Sequence, residues 1–168
     1  MKKLLIILIL AWPFFSQARE IDQIKQIESF KGQVQADTQL SDLIEALGKT
    51  PKNPGLHFKL AEAYRERGLL DLARVSYERT LKLKPHYPWA HVGLSLVFRE
   101  KGEAPWELYH LRQAALQAPE DDQIRFKLGR LYMESKVFDY KKAKQEYKAL
   151  KKMNSPLATQ LGKVMELE

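Results

Sequence analysis

The chain contains no cysteine among its 168 residues. Disulfides, thiolate metal sites, thiol catalysis and a lipidated N-terminal cysteine are therefore excluded. Histidine is scarce: His57, His86, His91 and His110 are the only four, and they are scattered. No pair of them has the spacing of zinc ligands on a helix face. No glycine-rich phosphate loop and no nucleophile elbow occurs either. A nucleophile, a base and an electrophile cannot be assembled from what remains, so the chain is expected to be non-enzymatic and to need no cofactor or metal.

Long apolar runs are also missing, with one exception. Leu4 to Phe15 is an apolar run of twelve residues, well short of the roughly 20 that a relaxed spanning helix needs. Met1-Lys2-Lys3 precedes it, and Ser16-Gln17-Ala18 follows with small residues at the two positions a signal peptidase inspects. Residues 1–18 thus have the layout of a secretory signal peptide, which implies export across a bacterial inner membrane to the periplasm or cell envelope. The alternatives are an uncleaved membrane anchor and a buried core helix.

Hydrophobic residues make up 45% and charged residues 29%, a balance that suits a folded domain rather than a disordered chain. The net charge is +7, and residues 19–168 hold 26 basic against 21 acidic side chains. That excess is compatible with an anionic membrane, an acidic protein or nucleic acid and selects none of them. Export argues against nucleic acid.

What is present is a repeat. Leu60, Leu94 and Leu128 stand 34 residues apart, as do Tyr64, Phe98 and Tyr132, and Pro51, Pro85 and Pro119. In residues 54–87, Leu60-Ala61, Tyr64, Gly68, Ala73, Tyr77, Leu81 and Pro85 suit a helical hairpin. Leu60, Ala63 and Tyr64 form one stripe, and Ala73, Tyr77 and Leu81 form the opposing one. Ala61 permits close approach of the partner helix, Gly68 supplies a positive φ at the turn, and Pro85 stops the second helix.

These residues and this period resemble the tetratricopeptide repeat (TPR) family. The resemblance implies an all-α fold, a right-handed α-solenoid of stacked helix-turn-helix units with a C-terminal capping helix. Residues 54–87, 88–121 and 122–155 are expected as three repeats. Residues 19–53 are read as a linker and a degenerate N-terminal repeat. In that repeat Leu40, Leu43, Ile44 and Leu47 share one helical side and Gly48 marks the stop, while residues 19–35 are equally readable as a flexible linker. Residues 156–168 give the capping helix, with Ser155 as cap, Pro156 in the first turn, and Leu157, Leu161, Val164 and Met165 on its apolar face.

Two departures stand out. Glu107 occupies a place where the family usually has alanine, and it is expected to be tilted and solvated, with a buried functional carboxylate as the alternative. The third repeat carries two extra residues in the Ser135–Tyr140 turn, where Lys136 replaces the turn glycine.

The resemblance also implies a concave side lined by the first helix of each repeat. The expected groove comprises Phe58, Lys59, Glu62 and Arg65; Trp89, Val92, Leu96 and Arg99; and Phe126, Lys127, Arg130 and Met133. Aromatic and arginine residues are frequent energetic centres of interfaces. The partner is expected to be another protein or peptide, an extended or helical segment with apolar side chains and some acidic character. The family's lysine–asparagine carboxylate clamp is not supported, because Phe58, Val92 and Phe126 stand at the lysine place and Glu62, Leu96 and Arg130 at the asparagine place. Lys141, Lys144, Lys148, Lys151 and Lys152 recur on one helical side and form a second candidate, a contact for anionic lipid headgroups or an acidic protein, or simply a solvated face.

Overall fold

The computed structural model describes residues 38–134 and 136–166. The expected signal peptide and the first half of the degenerate repeat lie outside the described residues. The chain divides into two compact units, residues 1–45 and 46–168.

The first described helix, α1 (Thr38–Lys49), crosses that division. Leu40 is buried, Leu43 and Leu47 are half-buried, and Ile44 is exposed. The helix runs through Gly48, one residue beyond the expected stop, and Pro51 follows.

The second unit holds seven helices among the described residues. They are α2 (Pro54–Glu66), α3 (Leu70–Leu83), α4 (Pro88–Glu100), α5 (Ala104–Gln117), α6 (Asp122–Tyr132), α7 (Tyr140–Lys152) and α8 (Leu157–Val164). α2/α3, α4/α5 and α6/α7 pair as antiparallel hairpins. α3 packs on α4 and α5 on α6, so each hairpin leans on the next, and α8 closes against α6 and α7. No strand occurs among the described residues. The architecture is an α-solenoid, built because a single hairpin cannot bury both of its apolar faces.

Local chemistry sets the helix ends. Asn53 accepts the backbone N–H groups of Gly55 and Leu56 at 2.9 and 3.2 Å, and Pro54 occupies the first turn. Asp121 caps Ile124 at 3.1 Å, Asp139 caps Lys142 at 3.0 Å, and Ser155 Oγ accepts from Leu157 N–H at 3.1 Å. These side chains satisfy donors that the helix itself leaves unpaired. Gly68 and Gly102 sit at φ 71° and 75°, closing the first two hairpins in a conformation that other residues adopt only with strain.

Leu60, Ala61, Ala63 and Tyr64 of α2 are buried against Ala73, Ser76, Tyr77 and Thr80 of α3. Leu81 is only half-buried, so the inward position at the end of α3 belongs to Thr80, whose hydroxyl donates to the Ser76 carbonyl at 3.0 Å. Neighbouring hairpins also approach closely. A Cβ on Gly93 would stand 2.3 Å from the Tyr77 ring. One continuous core gathers Val92, Leu111, Ala114, Ile124, Leu128, Leu131 and Tyr132 with Ala143, Leu150, Leu157, Leu161 and Met165.

The third hairpin differs from the first two. Its turn closes through Asp139 N–H to the Tyr132 carbonyl at 2.8 Å, seven residues apart. In the first two hairpins the matching bonds, Leu69 to Tyr64 and Glu103 to Phe98, span five. The following return loop shortens in compensation. Asn154 turns the chain at φ 53°, and Ser155 N–H reaches the Leu150 carbonyl at 3.1 Å. Tyr87, Asp121 and Ser155 therefore keep the 34-residue step into α4, α6 and α8. α7 alone is displaced in register.

Candidate binding groove

The first helices α2, α4 and α6 carry one repeating stripe at positions i, i+4 and i+7. It reads Phe58, Glu62 and Arg65, then Val92, Leu96 and Arg99, then Phe126, Arg130 and Met133. The same step reaches Gln160 and Val164 on α8.

Not every stripe residue is available. Val92 is 2% exposed and belongs to the core, so it offers nothing to an occupant. Phe58 packs on Tyr77 and Tyr87 at ring-centroid distances of 5.8 and 5.1 Å. Leu96, Phe126 and Met133 are half-buried, and Arg99 and Arg130 are exposed. Trp89 is exposed and lies one turn before Val92 on the same helical side. Lys59 and Lys127 share their register position with Gly93, which faces Tyr77 of the preceding hairpin, so this position turns toward the stacking side.

Charges along the stripe are matched between successive repeats. Arg65 pairs with Glu62 at 3.5 Å and with Glu100 of the next repeat at 3.3 Å. Arg99 repeats the pattern with Glu134 at 2.9 Å and also holds Glu107 at 2.6 Å. Glu62 further accepts a hydrogen bond from the Tyr77 hydroxyl. Burial, reinforced by that carboxylate, pushes the Tyr77 phenol well above its ordinary range. Arg130 breaks the pattern. It has no ion pair among the described residues, and its guanidinium lies 5.8 Å from the centre of the Phe126 ring.

Glu107 corrects the expectation of a tilted, solvated side chain. It is 5% exposed and occupies the tight helix–helix position. The Arg99 guanidinium is the physical reason it can be there, since a buried carboxylate needs a partner of opposite charge. Burial raises its carboxyl above the usual range, and Arg99 acts against that shift.

The two central histidines meet across α4 and α5. His91 Nδ1 and His110 Nδ1 lie 3.0 Å apart, with His110 stacked on Phe98 at 5.4 Å. Burial lowers both, and with His91 beside it His110 falls to about 4. Their separation of 19 residues crosses a turn, so no local spacing announces the pair. Among the described residues no three His, Cys, Asp or Glu side chains gather as metal ligands.

The lysine row lies on α7, whose buried side is Ala143 and Leu150. Lys141, Lys144, Lys148, Lys151 and Lys152 are all exposed. Lys151 sits 5.6 Å from the centre of the Tyr147 ring. No helix among the described residues is long and apolar enough to cross a membrane.

Two pockets open beside the stripe. One, of about 280 Å³, is lined by Arg99, Gly102, Ala104, Glu107, Leu131, Glu134 and Lys136. The other, of about 340 Å³, lies between α6 and α8 and is lined by Phe126, Arg130, Met133, Glu134, Gln160 and Val164. Gln160 and Val164 were not anticipated as groove residues. The 34-residue step from Phe126 and Arg130 is the signal that reaches them.

No protein-family model matches the chain, and no curated protein matches it in sequence. Solved structures do resemble it. A tetratricopeptide repeat protein from Parabacteroides merdae ATCC 43184 superposes with a TM-score of 0.68 at 21% identity, over 86% of this chain and 58% of its own. TTC0263, a thermophilic TPR protein of Thermus thermophilus, gives 0.64 at 23% identity, over 84% and 77%. MamA gives 0.58 at 18% identity, over 81% and 91%. The chain thus spans little more than half of the Parabacteroides protein. The likeness shows a TPR-like fold.

Proposed function

We propose that the protein is a non-catalytic, exported scaffold that holds another protein in the bacterial cell envelope through the stripe on α2, α4, α6 and α8. The carrying observation is the change along that stripe. At its start the charges are satisfied internally, by Arg65 with Glu62 and Glu100. Toward its end it offers Leu96, then Phe126 and Met133 beside Arg130, which has no ion pair among the described residues. Half-buried apolar side chains around an unmatched guanidinium are the makings of an interface centre. Export rests on the pattern of residues 1–18.

Photo-crosslinking in living cells tests the binding side. A photoreactive side chain at Leu96 is expected to capture a defined protein, and the same group at Val75 on α3 is expected not to. Identical adducts from both positions, or none from Leu96, reject the groove. For export, residues 1–18 placed before a reporter that is active only outside the cytoplasm should switch that reporter on.

A second reading rests on α7. Lys141, Lys144, Lys148 and Lys152 are exposed and have no ion pair among the described residues, which suits contact with anionic lipid. If this reading holds, flotation with anionic vesicles is lost when these four become glutamine. Self-association of the stack is a third reading, which sedimentation across a concentration series resolves.

A further inference from the structure

We infer that the pocket between α6 and α8 is an anchor subsite for a peptide segment that presents a bulky apolar side chain next to a carboxylate. The inference rests on the groove reading above and specifies which chemistry the occupant brings.

Three features point to that pair. The wall of the pocket is apolar: Phe126 and Met133 from α6 and Val164 from α8. A terminal helix that serves only to keep a solenoid soluble turns polar residues outward. α8 instead leaves Val164 45% exposed at the register position of Arg130. The charge is specific as well. Arg130 is the one arginine of the stripe without an ion pair among the described residues, whereas Arg65 and Arg99 are each matched. Glu134 lines the same pocket, but Arg99 holds its carboxylate at 2.9 Å, leaving Arg130 for an incoming anion. Gln160, opposite Phe126 in register, adds an amide able to bond an extended backbone. The volume of about 340 Å³ falls at the lower end of ordinary ligand sites, the scale of one or two side chains rather than a large ligand.

The expected occupant therefore lays leucine, phenylalanine or a similar residue against Phe126, Met133 and Val164. An adjacent aspartate or glutamate then meets the Arg130 guanidinium, a geometry in which arginine excels because it can bond both carboxylate oxygens.

The test is selection from a random display library of twelve-residue peptides on the protein of residues 19–168, followed by fluorescence anisotropy of the enriched peptides. Enriched sequences are expected to pair an acidic with a bulky apolar residue within two positions. R130E should weaken them about tenfold or more, since an attractive pair becomes a repulsive one, and V164D should do likewise. Arg130 and Val164 are both exposed, and thermal melts of the variants check that folding is intact. Enriched peptides that are indifferent to R130E and V164D but lost with L96D overturn this subsite and leave the groove standing. Enrichment no better than on an unrelated helical protein, or enriched peptides indifferent to all three substitutions, overturns the groove reading and this subsite together.

Discussion

Glu107 keeps its place in the core only through Arg99. Arg99→Ala would leave a carboxylate buried without a partner, and an unpaired buried charge costs several kcal/mol. Arg99 is itself 41% exposed, so the expected loss is smaller, about 2 kcal/mol by urea denaturation. Adding Glu107→Ala should restore most of it, because the small side chain fits the tight contact. Gly93 argues the opposite case. Alanine generally favours a helix over glycine by about 1 kcal/mol. Here its Cβ would meet ring atoms of the fully buried Tyr77, so Gly93→Ala should destabilise by about 2 kcal/mol. Gly129→Ala should cost less, since the nearest atom is the end of the Leu161 side chain. His110 supplies a pH dependence. In the unfolded chain it binds a proton near its ordinary value of about 6.5, whereas the folded protein holds it down to about 4. Stability linked to this group is therefore complete above about pH 6.5, falls as the pH drops toward 4, and levels off below. Urea midpoints at pH 7, 5.5 and 4 should converge in His110→Gln relative to the unchanged chain.

Among the elements, α8 is the shortest and buries half of its residues. Eight residues bury Leu157, Ala158, Leu161 and Gly162, and Met165 follows them into the core. A chain ending at Met153 should lose on the order of 5 kcal/mol, from about 1.5–3 kcal/mol for each large apolar side chain, and should bind a hydrophobic dye. The paired helices were legible in the sequence because their signals are local. Pro54, Pro88 and Pro105 fall in first turns, Gly68 and Gly102 close hairpins, and Leu60 with Tyr64 repeats visibly. What escaped depends on neighbours distant in sequence. Thr80 rather than Leu81 points inward, where its hydroxyl also reaches the Pro54 carbonyl of α2, 26 residues away. Val92 left the expected groove because α5 and α6 close over it. Glu107 is buried because Arg99 approaches from another helix. The shortened return loop was hidden too, since Asn154 is an ordinary residue until its φ of 53° is seen. Asn154→Val, which tolerates that backbone poorly, should destabilise by about 1–2 kcal/mol, while Asn154→Gly should be near neutral.

At the scale of the folded stack, the inner and outer rows of helices obey different rules. The inner row, α2, α4, α6 and α8, holds the step of 34 throughout. The outer row, α3, α5 and α7, slips by two residues at its last member, as the spacing from Ala73 to Glu107 to Ala143 records. The inner side is thus an evenly graduated ruler and the outer side one with a misprinted mark. A partner whose own sequence is periodic would find its marks in step along the inner side, save at Val92, which is sunk in the core. On the outer side the same partner would lose step beside Phe138 and Tyr140, and would have to let go there.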